Sequence, residues 1–232
     1  MKHEMRIAEI YRSIQGEGLL TGAESVFVRT SGCNLRCWYC DTPHTSWSPE
    51  GDDLSVDEIA SRVLDYDCRQ VVLTGGEPML FAELLPLAAA LQNSDRHITI
   101  ETAGTLYLPV ACDLMSISPK LANSTPCEES AGGWRARHER ARHAPAVIRR
   151  LIAEYPHQLK FVVDSPADAD EVERYLHTFP EIDRSRVMLM PQGTDPVALA
   201  GQAGWLEPYC REHGLRYCPR KQIEWFGFTR GT

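Results

Sequence analysis

Val71-Val72-Leu73-Thr74-Gly75-Gly76-Glu77-Pro78 decides the architecture. A short, β-branched apolar run that ends in Thr-Gly-Gly reads as a buried strand delivering the chain into a loop. A helical pattern from Leu80 to Leu91 follows, and then a second run, Ile98-Thr99-Ile100. Strand, helix and strand within about thirty residues make a βαβ unit, whose strands lie parallel and whose crossover is right-handed.

Working outward, the same kind of run recurs at Val26-Phe27-Val28, Leu114-Met115-Ser116-Ile117, Phe161-Val162-Val163 and Val187-Met188-Leu189-Met190. Helical patterns fill Val56 to Leu64, Ala144 to Glu154 and Ala167 to Leu176, and Ser55 with Glu58 forms a capping-box signature before the first of these. A last apolar stretch, Val197 to Tyr209, predicts a helix interrupted by Gly201 and Gly204. Six strands fall short of a closed (β/α)8 barrel, which takes about 250 residues. The expected fold is therefore α/β, a partial (β/α)6-type open barrel with a mostly parallel sheet. A doubly wound sheet is the alternative, and periodicity alone does not separate the two. No repeat, low-complexity tract or linker divides the chain, so residues 1–232 are read as one domain.

Hydrophobic residues make up 43% and charged residues 24%, and no apolar run approaches the roughly 20 residues of a membrane span. Disorder, collagen and membrane-spanning classes are excluded. Met1 to Glu9 is mixed and charged, without the apolar core of a secretory signal, so a cytoplasmic protein is expected. A formal net charge of −8 argues against a nucleic-acid partner. Eight cysteines in such a setting read as reduced thiols, which turns attention from disulfides to metals.

Polar residues crowd the carboxyl ends of the expected strands, where α/β folds build ligand sites: Arg29 then Cys33, Thr74 to Pro78, Glu101 to Gly104, Ser118 to Lys120, and Pro191 to Gly193. One such loop is ordinary turn punctuation; their concurrence is not. Cys33, Cys37 and Cys40 share one loop in Cys-x-x-x-Cys-x-x-Cys spacing. Zinc competes on spacing alone if His44 or Cys68 supplies a fourth ligand. A four-iron cluster held by three cysteines leaves one iron open for chemistry. Cys68, Cys112, Cys127, Cys210 and Cys218 lack metal spacing and read as structural.

With Gly75-Gly76-Glu77-Pro78 behind the triad, the chain resembles the radical S-adenosylmethionine (SAM) enzymes. That resemblance implies a [4Fe–4S] cluster on Cys33, Cys37 and Cys40, SAM on its open iron, and Gly75, Gly76 and Glu77 at the SAM amino group. Ser13-Ile14-Gln15-Gly16-Glu17-Gly18, Phe27-Val28-Arg29, Cys40-Asp41-Thr42, Glu101-Thr102-Ala103-Gly104-Thr105 and Ser118-Pro119-Lys120 resemble the 7-carboxy-7-deazaguanine synthase family. The resemblance is strongest from Tyr11 to Glu101 and thin from Asn123 to Ala144.

The family implies a lyase of queuosine and 7-deazapurine biosynthesis that rearranges 6-carboxy-5,6,7,8-tetrahydropterin to 7-carboxy-7-deazaguanine and releases ammonia. It implies SAM contacts from Tyr39, Cys40, Asp41, Gly104, Ser118, Pro119, Lys120 and Gln192. Substrate contacts would come from Ile14, Gln15, Gly16, Arg29 and Thr102, with Glu17 a weaker candidate, and Mg²⁺ would sit on Thr42. An electron donor such as a flavodoxin or ferredoxin and a homodimer complete the expectation, with no nucleic acid and no membrane. Residue chemistry agrees: Arg29 is a planar fork suited to a carboxylate, and a threonine oxygen suits a hard cation. No residue is assigned a catalytic proton transfer.

Two features depart from the family. Lys221-Gln222-Ile223 stands where relatives often carry a histidine, and residues 227–232 run beyond shorter versions. Two other readings compete. A glycyl-radical activase shares the cluster residues but has no use for Ser13 to Gly18, Arg29 and Thr42. A zinc-bound nucleic-acid module draws on Arg135 to Arg150, with six arginines against Glu139, although such runs are usually solvated helix faces.

Overall fold

Alternation along the strands sorts two faces before any topology is considered. In a computed structural model, which describes residues 4–232, Val26, Val28, Val71, Leu73, Ile98 and Ile100 all enter one apolar core, while their neighbours Phe27, Arg29, Thr74 and Glu101 face the opposite way into a cavity. Successive strand side chains point to opposite faces, so each strand is apolar toward the helices and mixed toward the cavity.

The described residues begin with β1 (Glu4–Ile14) and β2 (Glu24–Thr30), which pair antiparallel. A short helix, α1 (Pro43–Ser46), precedes β3 (Asp52–Ser55), which pairs antiparallel with β1. The repeating units follow: α2 (Val56–Leu64), β4 (Gln70–Gly75), α3 (Leu84–Asn93), β5 (His97–Thr102) and β6 (Leu114–Ile117). Three helices, α4 (Glu128–Ala131), α5 (Trp134–Ala141) and α6 (Pro145–Glu154), lead to β7 (His157–Val163), α7 (Pro166–His177) and β8 (Val187–Pro191). The chain continues through α8 (Pro196–Glu212), β9 (Arg216–Tyr217) and α9 (Lys221–Phe226).

The sheet order is β3-β1-β2-β4-β5-β6-β7-β8-β9, and every pair from β2 to β9 is parallel. From β2 onward that order follows the chain without reversing. A doubly wound sheet reverses at a switch point and carries helices on both faces; this one does not, so right-handed crossovers place the helices on one side. Ile59 and Val63 of α2, Leu84 and Leu87 of α3, Ile148 and Leu151 of α6 and Val172 of α7 cover that side, in the same core as the strand residues. The sheet is open, with β3 and β9 at its ends.

All six expected strands are present, and the Ser55–Glu58 capping box starts α2. Three differences have physical causes. First, α3 starts at Leu84 because Pro78–Leu80 form a separate 3-10 turn that Glu77 caps. Second, α8 continues through Gly201, Gly204 and Pro208, since Leu199, Leu206 and Cys210 anchor one face in place. Third, β1 carries charged residues throughout and showed no apolar run; pairing with β2 and β3 on its two edges makes it a strand.

Candidate active site

The mixed face of the sheet and the loops at its carboxyl end enclose a cavity of about 520 Å³. Cys33, Cys37 and Cys40 line it from the loop after β2. That loop is held from several sides. Gly32 N–H donates to Thr45 O at 2.8 Å and Trp47 Nε1 to Cys37 O at 3.0 Å. Arg36 N–H donates to His138 Nδ1 at 3.1 Å, and His138 Nε2 shares a hydrogen bond with Ser124 Oγ at 2.9 Å. The Arg36 guanidinium stacks on Trp134, 3.8 Å from the ring centre.

Burial pushes the Cys33 thiol up to about 12 and the Cys37 thiol up to about 11. The ligating form is the thiolate, so a metal here would have to displace the proton that burial retains. All three are free. Among the described residues, no three His, Cys, Asp or Glu side chains converge to hold a single ion, and His44 Nε2 faces Glu9 Oε1 at 4.0 Å. The donor set thus fits a multi-iron cluster and not a closed zinc site.

Gly75 and Gly76 line the cavity with backbone alone. A Cβ on Gly75, whose φ is +136°, would lie 2.2 Å from Thr30 O, and one on Gly76 would lie 2.2 Å from Gly32 O. Gly76 N–H donates to Thr30 O at 3.1 Å and Glu77 N–H to Gly32 O at 2.9 Å, which locks this loop to the start of the cysteine loop. Glu77 itself turns away from the cavity. It is fully buried, and its carboxylate accepts from Met79 N–H at 3.1 Å, Thr102 Oγ1 at 2.8 Å and Ala103 N–H at 2.9 Å. Glu77, the residue expected at the SAM ammonium, thus has its carboxylate tying the loops after β4 and β5 together, while the two glycines line the cavity.

Tyr39, Asp41, Thr42, Ser118, Lys120 and Gln192 line the same cavity. Pro119 and Gly104 do not. Pro119 is buried between its two neighbours, and Gly104 has φ +70° with Ile148 Cδ1 2.4 Å from where its Cβ would stand, so both serve packing. Lys120 Nζ donates to Ser118 O at 2.8 Å and to Ser118 Oγ at 2.6 Å.

Ile14, Gln15, Gly16, Arg29 and Thr102 also line the cavity. Gln15 Nε2 donates to Ser25 Oγ at 2.8 Å, and its backbone pairs with Gly22 and Ala23 in the β1–β2 hairpin. Gly16 packs on α9: a Cβ there would lie 2.2 Å from Gln222 Oε1. Arg29 Nε donates to Glu9 Oε1 at 2.6 Å and Nη2 to Tyr11 Oη at 2.8 Å, while Nη1 has no partner among the described residues. Glu17 accepts from Lys160 Nζ, from Arg220 Nε at 3.2 Å and from Gln222 Nε2 at 2.6 Å. Burial alone would raise the Glu17 carboxyl, but the Lys160 and Arg220 charges outweigh it and bring it down to about 2.

Glu9, Tyr11, Lys160 and Arg220 line the cavity and escaped the sequence reading, while Gln222 and the segment 227–232, which stood out there as departures from the family, line it as well. For Lys160 a signal existed. A lysine within Gln158-Leu159-Lys160-Phe161 interrupts a buried strand, and charged residues are rarely buried unless paired.

Comparison with known proteins agrees with this geometry. Residues 27–120 match the radical SAM superfamily, which defines the class: the chain is a radical SAM enzyme, of a kind that uses a [4Fe–4S] cluster and SAM. It is 44% identical over 227 residues to a 7-carboxy-7-deazaguanine synthase of Rhodopirellula baltica, covering 97% of this chain and 88% of that one. A 7-carboxy-7-deazaguanine synthase of Halobacterium salinarum is likewise 44% identical, with 94% and 88% covered. The chain belongs to the 7-carboxy-7-deazaguanine synthase family. A crystal structure of QueE from Escherichia coli shares the fold with a TM-score of 0.70 at 23% identity, covering 94% of each chain.

Proposed function

We propose that this chain, acting as a single domain, converts 6-carboxy-5,6,7,8-tetrahydropterin to 7-carboxy-7-deazaguanine with release of ammonia. The observation that carries the reading is one continuous cavity, which joins the cysteine triad to the Gln15–Gly16 hairpin and to Arg29. Cys33, Cys37 and Cys40 would hold the cluster. The backbone of Gly75 and Gly76, with Tyr39, Asp41, Ser118, Lys120 and Gln192, would hold SAM. When bound, cluster and SAM supply the radical that starts the rearrangement.

The chain's own residues orient the substrate. Arg29 offers Nη1 to the substrate carboxylate, its plane held by Glu9 and Tyr11. Backbone groups of Ile14 and Gly16 meet the pterin edge, and Thr102 closes the wall near SAM. Holding both partners in a fixed approach makes the reaction effectively unimolecular. Mass analysis of the product formed from the carboxylated tetrahydropterin, SAM and a reductant tests the proposal; no 7-carboxy-7-deazaguanine under turnover would overturn it.

Mg²⁺ on Thr42 belongs to the same reading. The Thr42 hydroxyl lines the cavity and accepts from Thr45 Oγ1 at 3.3 Å, which leaves an oxygen lone pair for a hard cation that keeps most of its waters. Thr42→Ala should keep cluster and SAM but lose most Mg²⁺ stimulation of turnover in a magnesium titration, and Thr42→Ser should retain much of it. A homodimer, and reduction by a flavodoxin- or ferredoxin-type donor, are part of the proposal. Free thiols at all eight cysteines suit the reducing cytoplasm in which such donors work.

A further inference from the structure

Glu9 holds two guanidinium groups at once. Its Oε1 accepts from Arg29 Nε at 2.6 Å, and its Oε2 accepts from Arg230 Nε at 3.1 Å. Arg230 belongs to the segment 227–232, all of which lines the cavity. Side-chain bonds within the chain fold that segment into turns: Thr229 Oγ1 donates to Phe226 O at 3.1 Å and Thr232 Oγ1 to Thr229 O at 2.9 Å. Arg230 is further anchored by Glu50 Oε2 at 3.3 Å and Ala8 O at 3.5 Å.

The geometry on Arg29 is unusual for a carboxylate. Beside a guanidinium, a carboxylate favours two parallel N–H···O bonds, one to each oxygen. Glu9 makes only one, because its second oxygen is drawn to Arg230. Glu9 and Arg29 are 14% and 16% exposed, so water does little to loosen this arrangement, whereas Arg230 at 49% is reachable.

We infer that Arg230 is a positioning residue for the substrate carboxylate, acting through Glu9: by holding Oε2 it keeps Glu9 one-pronged and Arg29 in the plane that presents Nη1 to the substrate. The inference rests on the role proposed above for Arg29. Without Arg230, Glu9 turns both oxygens onto Nε and Nη2 of Arg29, displaces Tyr11 Oη from Nη2 and swings the guanidinium out of the plane that presents Nη1 to the substrate. A misaligned Arg29 reduces the fraction of binding-competent sites and lowers apparent affinity by that fraction. It acts before chemistry, so KM rises while kcat stays close to the parent value.

The test uses holoenzyme with bound SAM and no reductant, titrated calorimetrically with 6-carboxy-5,6,7,8-tetrahydropterin and with tetrahydropterin lacking the carboxyl group. Arg230→Ala should weaken the carboxylated ligand roughly tenfold, the low end for a hydrogen bond to a charged group, and leave the other ligand unchanged. Arg230→Lys should recover most of the loss. Adding Glu9→Gln to Arg230→Ala should restore affinity, because a neutral amide has one acceptor oxygen and forms no two-pronged pair with Arg29. A purely structural role instead predicts that both ligands weaken together and that Glu9→Gln deepens the loss. If Arg29→Ala weakens the carboxylated ligand and Arg230→Ala does not, the inference falls alone; if Arg29→Ala has parent affinity, the reading of Arg29 falls with it.

Discussion

Cys33, Cys37 and Cys40 differ from most of the other cysteines in where their sulfur points. The triad lines the cavity, whereas Cys68 donates to Glu24 O at 3.2 Å, Cys210 sits in the apolar core and Cys218 takes the Gly18 N–H at 3.3 Å. Replacing any one of the triad with alanine should abolish iron loading and brown colour, while Cys68→Ala should load normally; full iron content in Cys37→Ala would contradict the assignment. Glu77 makes the opposite case. Its chemistry invited a ligand role, yet three protein donors already occupy its carboxylate. Glu77→Gln turns one acceptor oxygen into a donor that faces other donors, at a cost of about 1–3 kcal/mol. Denaturant unfolding of the apoprotein should show that loss directly, with SAM affinity falling only as the loop loosens. An unchanged midpoint together with weakened SAM binding would return the carboxylate to the ligand.

Helix α5 shows what an element adds to residues that look unremarkable alone. Its arginine-rich sequence reads as a solvated face, and Arg135, Arg137 and Arg140 are exposed. The opposite face carries His138, fully buried, which accepts the Arg36 N–H of the cysteine loop. His138→Leu leaves that N–H without an acceptor and should cost about 1–3 kcal/mol. Faster loss of iron to a chelator is the second readout, since the backbone between Cys33 and Cys37 loses its tie. The pH dependence has a definite sign. Burial holds the His138 imidazole down at about 4, below its ordinary value of 6.5. Between those values the unfolded chain takes up a proton that the folded chain refuses, so the stability contributed by neutral His138 is complete above pH 6.5 and is lost as pH falls toward 4. The gap between parent and His138→Leu should narrow over that window in denaturant titrations; a constant gap would remove the imidazole from the account.

Across the whole molecule, one ionic network spans the cavity. Asp41 of the cysteine loop pairs with Arg220, Arg220 and Lys160 pair with Glu17 of the β1–β2 hairpin, and Lys160 reaches Glu101 at the end of β5 at 3.5 Å. Removing Glu17 leaves Arg220 and Lys160 under-compensated in a buried site, so Glu17→Gln should destabilise by about 3–5 kcal/mol at neutral pH. With its folded value lowered to about 2, the Glu17 carboxylate contributes stability that is present above pH 4.5 and is lost as pH falls toward 2. Acid titration should therefore bring parent and variant together across that range, and a gap that persists at pH 2 would mean that the network is not what Glu17 stabilises. The six parallel strands, the capping box and the cysteine loop were legible in the sequence because each is set by residues close along the chain: periodicity, cap chemistry and thiol spacing are local. The partners of Lys160, Glu9 and Arg230 were not, because an ion pair between distant segments exists only once the fold has brought those segments together. Which face a side chain takes was equally out of reach, since a shift of one residue in strand register reverses it. The sequence alone determined the class of chemistry through the triad and its loops; only the tertiary structure decided that the Glu77 carboxylate is buried among protein donors and that segment 227–232 lines the cavity, because burial and long-range charge pairing belong to the folded arrangement and to no stretch of chain.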